Sequence, residues 1–147
     1  MPRGDSVHLA VRSSLDMLDL VQAVGDHVGR ISGLDEEALH WIGVAVRESV
    51  INAIRHGNGN DLHKQVHVEF STLEDHNSPG LLIRVRDEGC GFDPANLPDC
   101  HAPENLLKSS GRGICLIRSF MDELVMQRAP EGGMEVIMVK RAQPQQV

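Results

Sequence analysis

A chain of 147 residues, 41% of them hydrophobic and with one tryptophan, has the size of a single compact domain around one core. Its formal charge of -7, from 14 basic against 21 acidic residues, disfavours direct nucleic-acid binding, which needs a basic face, and points to proteins or small ligands as partners. No apolar run approaches the roughly 20 residues that span a bilayer, and the opening MPRGDSVHLAVRSS lacks a signal-peptide core, so a cytoplasmic protein without a membrane partner is expected.

In chain order, SVHLAV (6–11) predicts a short strand, and SSLDMLDLVQAVGDHVGRI (13–31) predicts an amphipathic helix capped by Ser13 or Ser14. A second, longer helix is expected from GLDEEALHWIGVAVRESVINAIRHG (33–57). Asp35, Glu36 and Glu37 fall in its first turn, where carboxylates suit the positive end of the helix dipole, and Gly57 ends it. Leu39, Ile42, Val46, Val50, Ala53 and Ile54 recur at helical spacing and form the stripe that seats it on a sheet. Glu48, Asn52 and His56 follow one another at i, i+4 and i+8 along another side. Such a row is ordinarily a solvated face, yet Asn is a poor helix former and the apolar neighbours Val44 and Ile51 argue against a simply wet flank.

After the polar turn NGND, QVHVEFST alternates Val66, Val68 and Phe70 with His67 and Glu69 and predicts a strand with one wet face. LLIRVRD repeats the pattern, with Leu81, Ile83 and Val85 inward and Arg84 and Arg86 outward, across a Pro79–Gly80 turn. ELVMQR and MEVIMVKR predict a closing hairpin around APEGG. Between the hairpins lie a loop from Asp93 to about Ser110, long and rich in proline, and a helix, GICLIRSFMDE. Strands that alternate this way leave helices on one face only. The expected fold class is an α/β (α+β) two-layer sandwich, a mostly antiparallel mixed sheet with helices packed on one face, in one domain over residues 1–147.

Cys90, Cys100 and Cys115 are odd in number and contain no CxxC pair, so neither a disulfide framework nor a thiolate zinc site is expected. His63 and His67, four apart, sit where the chain turns into a strand and read as ordinary surface histidines.

RDEGCGFDP (86–94) ends a strand with an acid, Asp87, and two glycines, Gly89 and Gly91. A turn needs only one glycine; two allow a flat ligand to come close to the backbone beside a carboxylate that can accept from an amine. In SSGRGICLI, Gly111 and Gly113 open a helix, whose free N–H groups favour an anion such as phosphate. There is no GxxxxGK[ST] and no GxGxxG, so neither a P-loop nor a Rossmann site is expected.

The order ESVINAIRHGN, DEGCGFD, GRGICLIRSFMDE resembles the three nucleotide-binding boxes of the histidine-kinase-like ATPase superfamily, which includes histidine kinases, gyrase and MutL. AVRESVINAIRHGNGND and GRGICLIRSFMDEL are most similar to the anti-sigma-factor serine kinases, small domains that bind a sigma factor and phosphorylate an anti-anti-sigma protein of the STAS type. The likeness runs from the first strand to the last hairpin. It implies the histidine-kinase-like ATPase fold, ATP and Mg²⁺ as cofactors, a homodimer and serine/threonine kinase activity. It also implies roles. Glu48 matches the general base, Asn52 the Mg²⁺ ligand, and His56 a position beside the nucleotide. Asp87 would accept from the adenine amine, with Gly89 and Gly91 making room for the base. Gly111, Arg112 and Gly113 would cradle the phosphates, with Arg112 or Lys108 as the charge clamp under an ATP lid of about 93–110. Two other classes stay open at this point: a module that binds nucleotide and partner without transferring phosphate, and a histidine-kinase catalytic domain acting on a separate phosphoacceptor chain.

Overall fold

The computed structural model describes residues 3–74, 79–89, 115 and 117–142. Strand β1 (Arg3–Arg12) extends the predicted first strand at both ends. The two serines that follow divide the labour of starting a helix. Ser13 is buried and its hydroxyl donates to the Lys64 carbonyl at 2.7 Å, while the Ser14 hydroxyl accepts from Asp16 N–H and caps a 3₁₀ turn, Leu15–Met17. Helix α1 (Leu18–Ile31) therefore starts later than the sequence suggests. Helix α2 (Glu36–Asn52) is capped by Asp35, whose Oδ1 accepts from Ala38 N–H at 2.8 Å. It was expected to run to Gly57; instead the α-helix stops at Asn52 and the chain widens into a π turn, Ala53–Gly57, closed by Asn58 N–H donating to the Ala53 carbonyl.

Four further strands follow: β2 (Gln65–Leu73), β3 (Gly80–Arg86), β4 (Glu123–Arg128) and β5 (Met134–Arg141). The sheet order is β1-β2-β3-β5-β4, with antiparallel pairing throughout. The described strands form the antiparallel sheet that the alternation predicts, with no parallel pair among them. Two helices separate β1 from β2, so the chain comes back to the end of the sheet it left and pairs antiparallel.

Register turns the alternating pattern into rows. Val7, Phe70, Ile83, Met138 and Leu124 lie side by side across all five strands, with Leu9, Val68, Val85, Val136 and Met126 in the neighbouring row. The buried members of these rows meet Val21 and Val28 of α1 and Ile42, Val46, Val50 and Ile54 from α2 and its π turn in one core. All six positions of the predicted α2 stripe are buried. Gly25 of α1 is buried against the Phe70 ring, where an added Cβ would come within 2.9 Å of a ring carbon. Beyond the segment outside the described residues, Cys115 and residues 117–120 are helical, and Ile117 and Met121 join the core. Cys115 is disulfide-bonded.

The helix-free face is less wet than alternation predicts. Glu69, Ser71 and Glu135 are buried on it, and Leu73, Leu82 and Val139 form a small second cluster. Polar groups there find partners: the Ser71 hydroxyl pairs with that of Ser6 at 2.8 Å, and Arg84 pairs with Glu135. No helix among the described residues is long and apolar enough to cross a membrane.

Among the described residues Phe70 is the largest fully buried side chain, and it is one contact through which α1 rests on the sheet. Phe70→Ala is expected to lower the unfolding free energy by about 3–5 kcal/mol. Urea unfolding should show this as a lower midpoint at an unchanged slope.

Candidate functional site

One end of the sheet gathers five chain segments. β1 leaves there at Ser13, the π turn arrives at Gly57 and Asn58, β2 starts at Gln65, β3 ends at Arg86, and the β4–β5 turn passes at Gly133. Asp87, the carboxylate singled out from the sequence, stands at the middle of this junction and is only 3% exposed. Its N–H donates to the Met134 carbonyl at 3.0 Å, and its Oδ1 accepts from Met134 N–H at 3.1 Å and from Gly89 N–H at 3.0 Å. A buried carboxylate is costly unless it accepts hydrogen bonds, and two backbone donors supply them here.

Three glycines make that position possible. A Cβ at Gly57 would lie 2.0 Å from Asp87 Oδ2, one at Gly133 would lie 2.0 Å from the Asp87 carbonyl, and one at Gly89 would lie 1.7 Å from the Gly57 carbonyl. The end of α2, the end of β3 and the closing hairpin are thus in backbone contact around one side chain. Gly133, at φ +80°, also occupies a conformation that favours glycine. In the sequence Gly89 reads as a glycine for ligand access and Gly57 as a helix end. Gly133 carries no such signal, because nothing local in APEGG points to a carboxylate 46 positions earlier in the chain.

The residue after Asp87 turns the other way. The Glu88 carboxylate accepts from Gln65 N–H at 2.9 Å and pairs with His67 Nε2 at 2.6 Å, and its N–H donates to Asn58 Oδ1 at 2.7 Å. His67 is thereby a half-buried partner of the junction, not the free surface histidine that the sequence suggested, whereas His63 is exposed. The hydrogen bond from His67, followed by that from Gln65, holds the Glu88 carboxyl below the ordinary carboxylate range. On the helix-free face the hairpin is pinned by charge. Arg84 reaches the buried Glu135 and, at 2.9 Å, Glu131, and Arg86 donates to the Gly132 carbonyl at 3.3 Å. The Arg84 guanidinium pulls the Glu131 carboxyl down to about 2.

Glu48 and Asn52 are half-buried on α2, and His56 is exposed in the π turn. The wider turn breaks the regular i, i+4, i+8 rise, so His56 does not continue the row of Glu48 and Asn52 as an uninterrupted α-helix would place it. Gly91, Lys108, Gly111, Arg112, Gly113 and the proposed lid of 93–110 lie outside the described residues. Among the described residues no three His, Cys, Asp or Glu side chains converge as a metal cage.

A family model described as the histidine kinase-like ATPase domain matches residues 11–140. The chain is 36% identical over 108 residues to an anti-sigma F factor of Oceanobacillus iheyensis, a match covering 71% of this chain and 70% of that protein. It is 25% identical to a serine-protein kinase RsbW of Bacillus cereus along 153 aligned positions, covering 100% of this chain and 91% of the relative. Among solved structures, the RsbU and RsbW domains of a Mycobacterium tuberculosis protein resemble it with a TM-score of 0.63 at 15% identity, over 96% of this chain and 34% of that one. The chain spans about a third of that neighbour, and the likeness speaks for the fold.

The Glu88 pair has a pH signature. A carboxyl whose folded pKa is depressed contributes fully above its unfolded value, near 4.5, and the contribution is lost as pH falls through the lower folded value. Glu88→Gln is therefore expected to be less stable than the parent at neutral pH, with the gap narrowing as the pH drops below 4.5. Urea unfolding of both proteins across the acid range measures it, and a gap that stays constant would contradict the assignment.

Proposed function

We propose, because the chain belongs to the histidine kinase-like ATPase domain family, that it is an ATP-dependent serine/threonine kinase acting as an anti-sigma factor. In this reading it sequesters a sigma factor and phosphorylates an anti-anti-sigma protein of the STAS type, as one domain over 1–147 that pairs as a homodimer. The names of two relatives, an anti-sigma F factor and a serine-protein kinase, support the two halves of that activity. The observation that carries it is the buried Asp87 carboxylate in a wall of glycine backbone, next to the end of the helix that bears Glu48 and Asn52.

The chemistry assigns work to each group. Asp87 Oδ1 is committed to two backbone donors, which leaves Oδ2, beside Gly57, as the oxygen to accept from the adenine amine. Gly57 and Gly89 keep that slot free of side chains, and Gly91 completes it. Asn52 offers an amide oxygen, a donor that suits a hard cation. Mg²⁺ takes only one or two protein ligands beside the phosphates, so a single amide oxygen would suit it. Bound there, it would neutralise charge on the transferring phosphoryl group. Glu48, one turn before Asn52, takes the proton from the acceptor hydroxyl as that oxygen bonds to the γ-phosphorus and the bond to ADP breaks. His56 lies beside the nucleotide. Gly111, Arg112, Gly113 and Lys108 supply the phosphate cradle and the cation of the lid.

With Mg²⁺ and ATP or ADP at about 100 times the dissociation constant, the fold gains roughly 2.7 kcal/mol and the melting temperature rises clearly. Asp87→Ala is expected to abolish the rise, and no rise in the parent at millimolar nucleotide would refute nucleotide binding. Transfer of labelled γ-phosphate to a purified anti-anti-sigma partner separates the two α2 residues. Glu48→Gln should bind ATP normally and lose transfer by about 10²–10⁴-fold, the scale of a missing general base. Asn52→Ala should lose nucleotide affinity and transfer together. A parent that binds both ligands and transfers nothing would make the chain a non-catalytic switch.

A further inference from the structure

We propose that Asn58 is a positioning residue for base recognition: without touching the ligand, it sets where Asp87 stands through the backbone of Glu88. This deepens the reading of Asp87 as the partner of the adenine amine and rests on it.

Asn58 lies between the π turn and β2, outside any strand or helix, yet is only 3% exposed. Its side chain is fully employed. Nδ2 donates to the Ser13 hydroxyl at 2.9 Å and to the Gln65 carbonyl at 3.0 Å, and Oδ1 accepts from Glu88 N–H at 2.7 Å. The orientation of the amide is not a free choice, because a backbone N–H requires the oxygen on one side and a backbone carbonyl requires the nitrogen on the other. One side chain thus joins the end of β1, the start of β2 and the residues after β3, and its own N–H closes the π turn on Ala53.

The position of the Glu88 bond gives it a directional effect. Pairing between β2 and β3 ends at His67 opposite Arg86, so the chain beyond Arg86 has left the ladder on that side. On the β5 side Asp87 is still held by both hydrogen bonds to Met134. On the other side the backbone tether is the Asn58 amide, standing where a strand partner no longer reaches. Asp87 and Glu88 are therefore held from two sides, and without Asn58 the part-buried Glu88 N–H loses its acceptor, leaving the backbone tied on the Met134 side and, on the β2 side, only the Glu88 carboxylate on Gln65 and His67. The π turn is what makes the clamp fit: its extra residue lets Asn58 N–H bond back to Ala53 while the side chain reaches across to Glu88. Asn58 carries no group that would meet substrate, so its effect on the ligand passes through Asp87.

Base discrimination separates positioning from plain structural support. Inosine triphosphate keeps the sugar and phosphates of ATP but replaces the amine with a carbonyl, so the ratio of ATP to inosine triphosphate affinity reports the placement of Asp87. In the intact chain with Mg²⁺, Asn58→Ala should cut that ratio by on the order of tenfold, chiefly through weaker ATP binding, as expected for one misplaced buried hydrogen bond. Ser13→Ala, which removes one anchor of the Asn58 amide, should cut it less in the same direction, and serves as the test if Asn58→Ala does not fold. A folded Asn58→Ala, or in its absence a folded Ser13→Ala, that keeps the parental ratio while binding both nucleotides more weakly overturns the inference and makes Asn58 structural only. A parent with no preference for ATP overturns the Asp87 reading and this inference with it.

Discussion

A carboxylate buried at the end of a strand sets the terms for everything around it. Asp87 stays inside the protein because backbone donors from Met134 and Gly89 meet one of its oxygens, and these can come close only where no Cβ intervenes. Gly57, Gly89 and Gly133 come from three separate parts of the chain and serve the same steric need. A methyl group at any of the three would collide with Asp87 or with the backbone packed beside it, so the local geometry of a helix end, a strand end and a hairpin turn are all fixed by one side chain.

The remainder of the fold holds those three parts in place. The antiparallel sheet carries the end of β3 and the β4–β5 turn to the same edge, since β5 pairs with β3 along its length. Phe70 beneath Gly25 seats α1, and the apolar stripe of α2 seats the helix whose end reaches Asp87. On the opposite face Arg84, Glu131 and Glu135 lock the hairpin to β3. An exposed ion pair contributes little to stability, but a buried carboxylate such as Glu135 needs its guanidinium, and the pairing fixes the register of the hairpin against the strand.

In the proposed reading, the arrangement separates the work of holding from the work of reacting. Asp87, Asn58 and Glu88 form a hydrogen-bonded, largely buried lattice at one end of the sheet. Glu48 and Asn52 sit half-buried on a regular helix with their side chains off the apolar stripe. In the phosphoryl transfer proposed above, catalysis is mostly positioning and electrostatics, and a pocket for the base apart from the helix proposed for proton and metal chemistry would suit that class of reaction.

Much was legible in the amino-acid pattern. The five strands follow from two-residue alternation, the seat of α2 from its apolar stripe at helical spacing, and the family from three motifs in order. All of these are local signals, set by how neighbouring residues share a face or cap an end. What only the tertiary structure decided depends on residues far apart in the chain. Gly133 beside Asp87, the early end of α2 in a π turn, His67 on Glu88 and the buried polar groups of the helix-free face are of this kind. So is Asn58, which in sequence is one more polar residue of a turn. Its burial and its three bonds arise because β1, β2 and β3 end or begin at one edge of the sheet, and no periodicity records which distant backbone group will be left there without a partner.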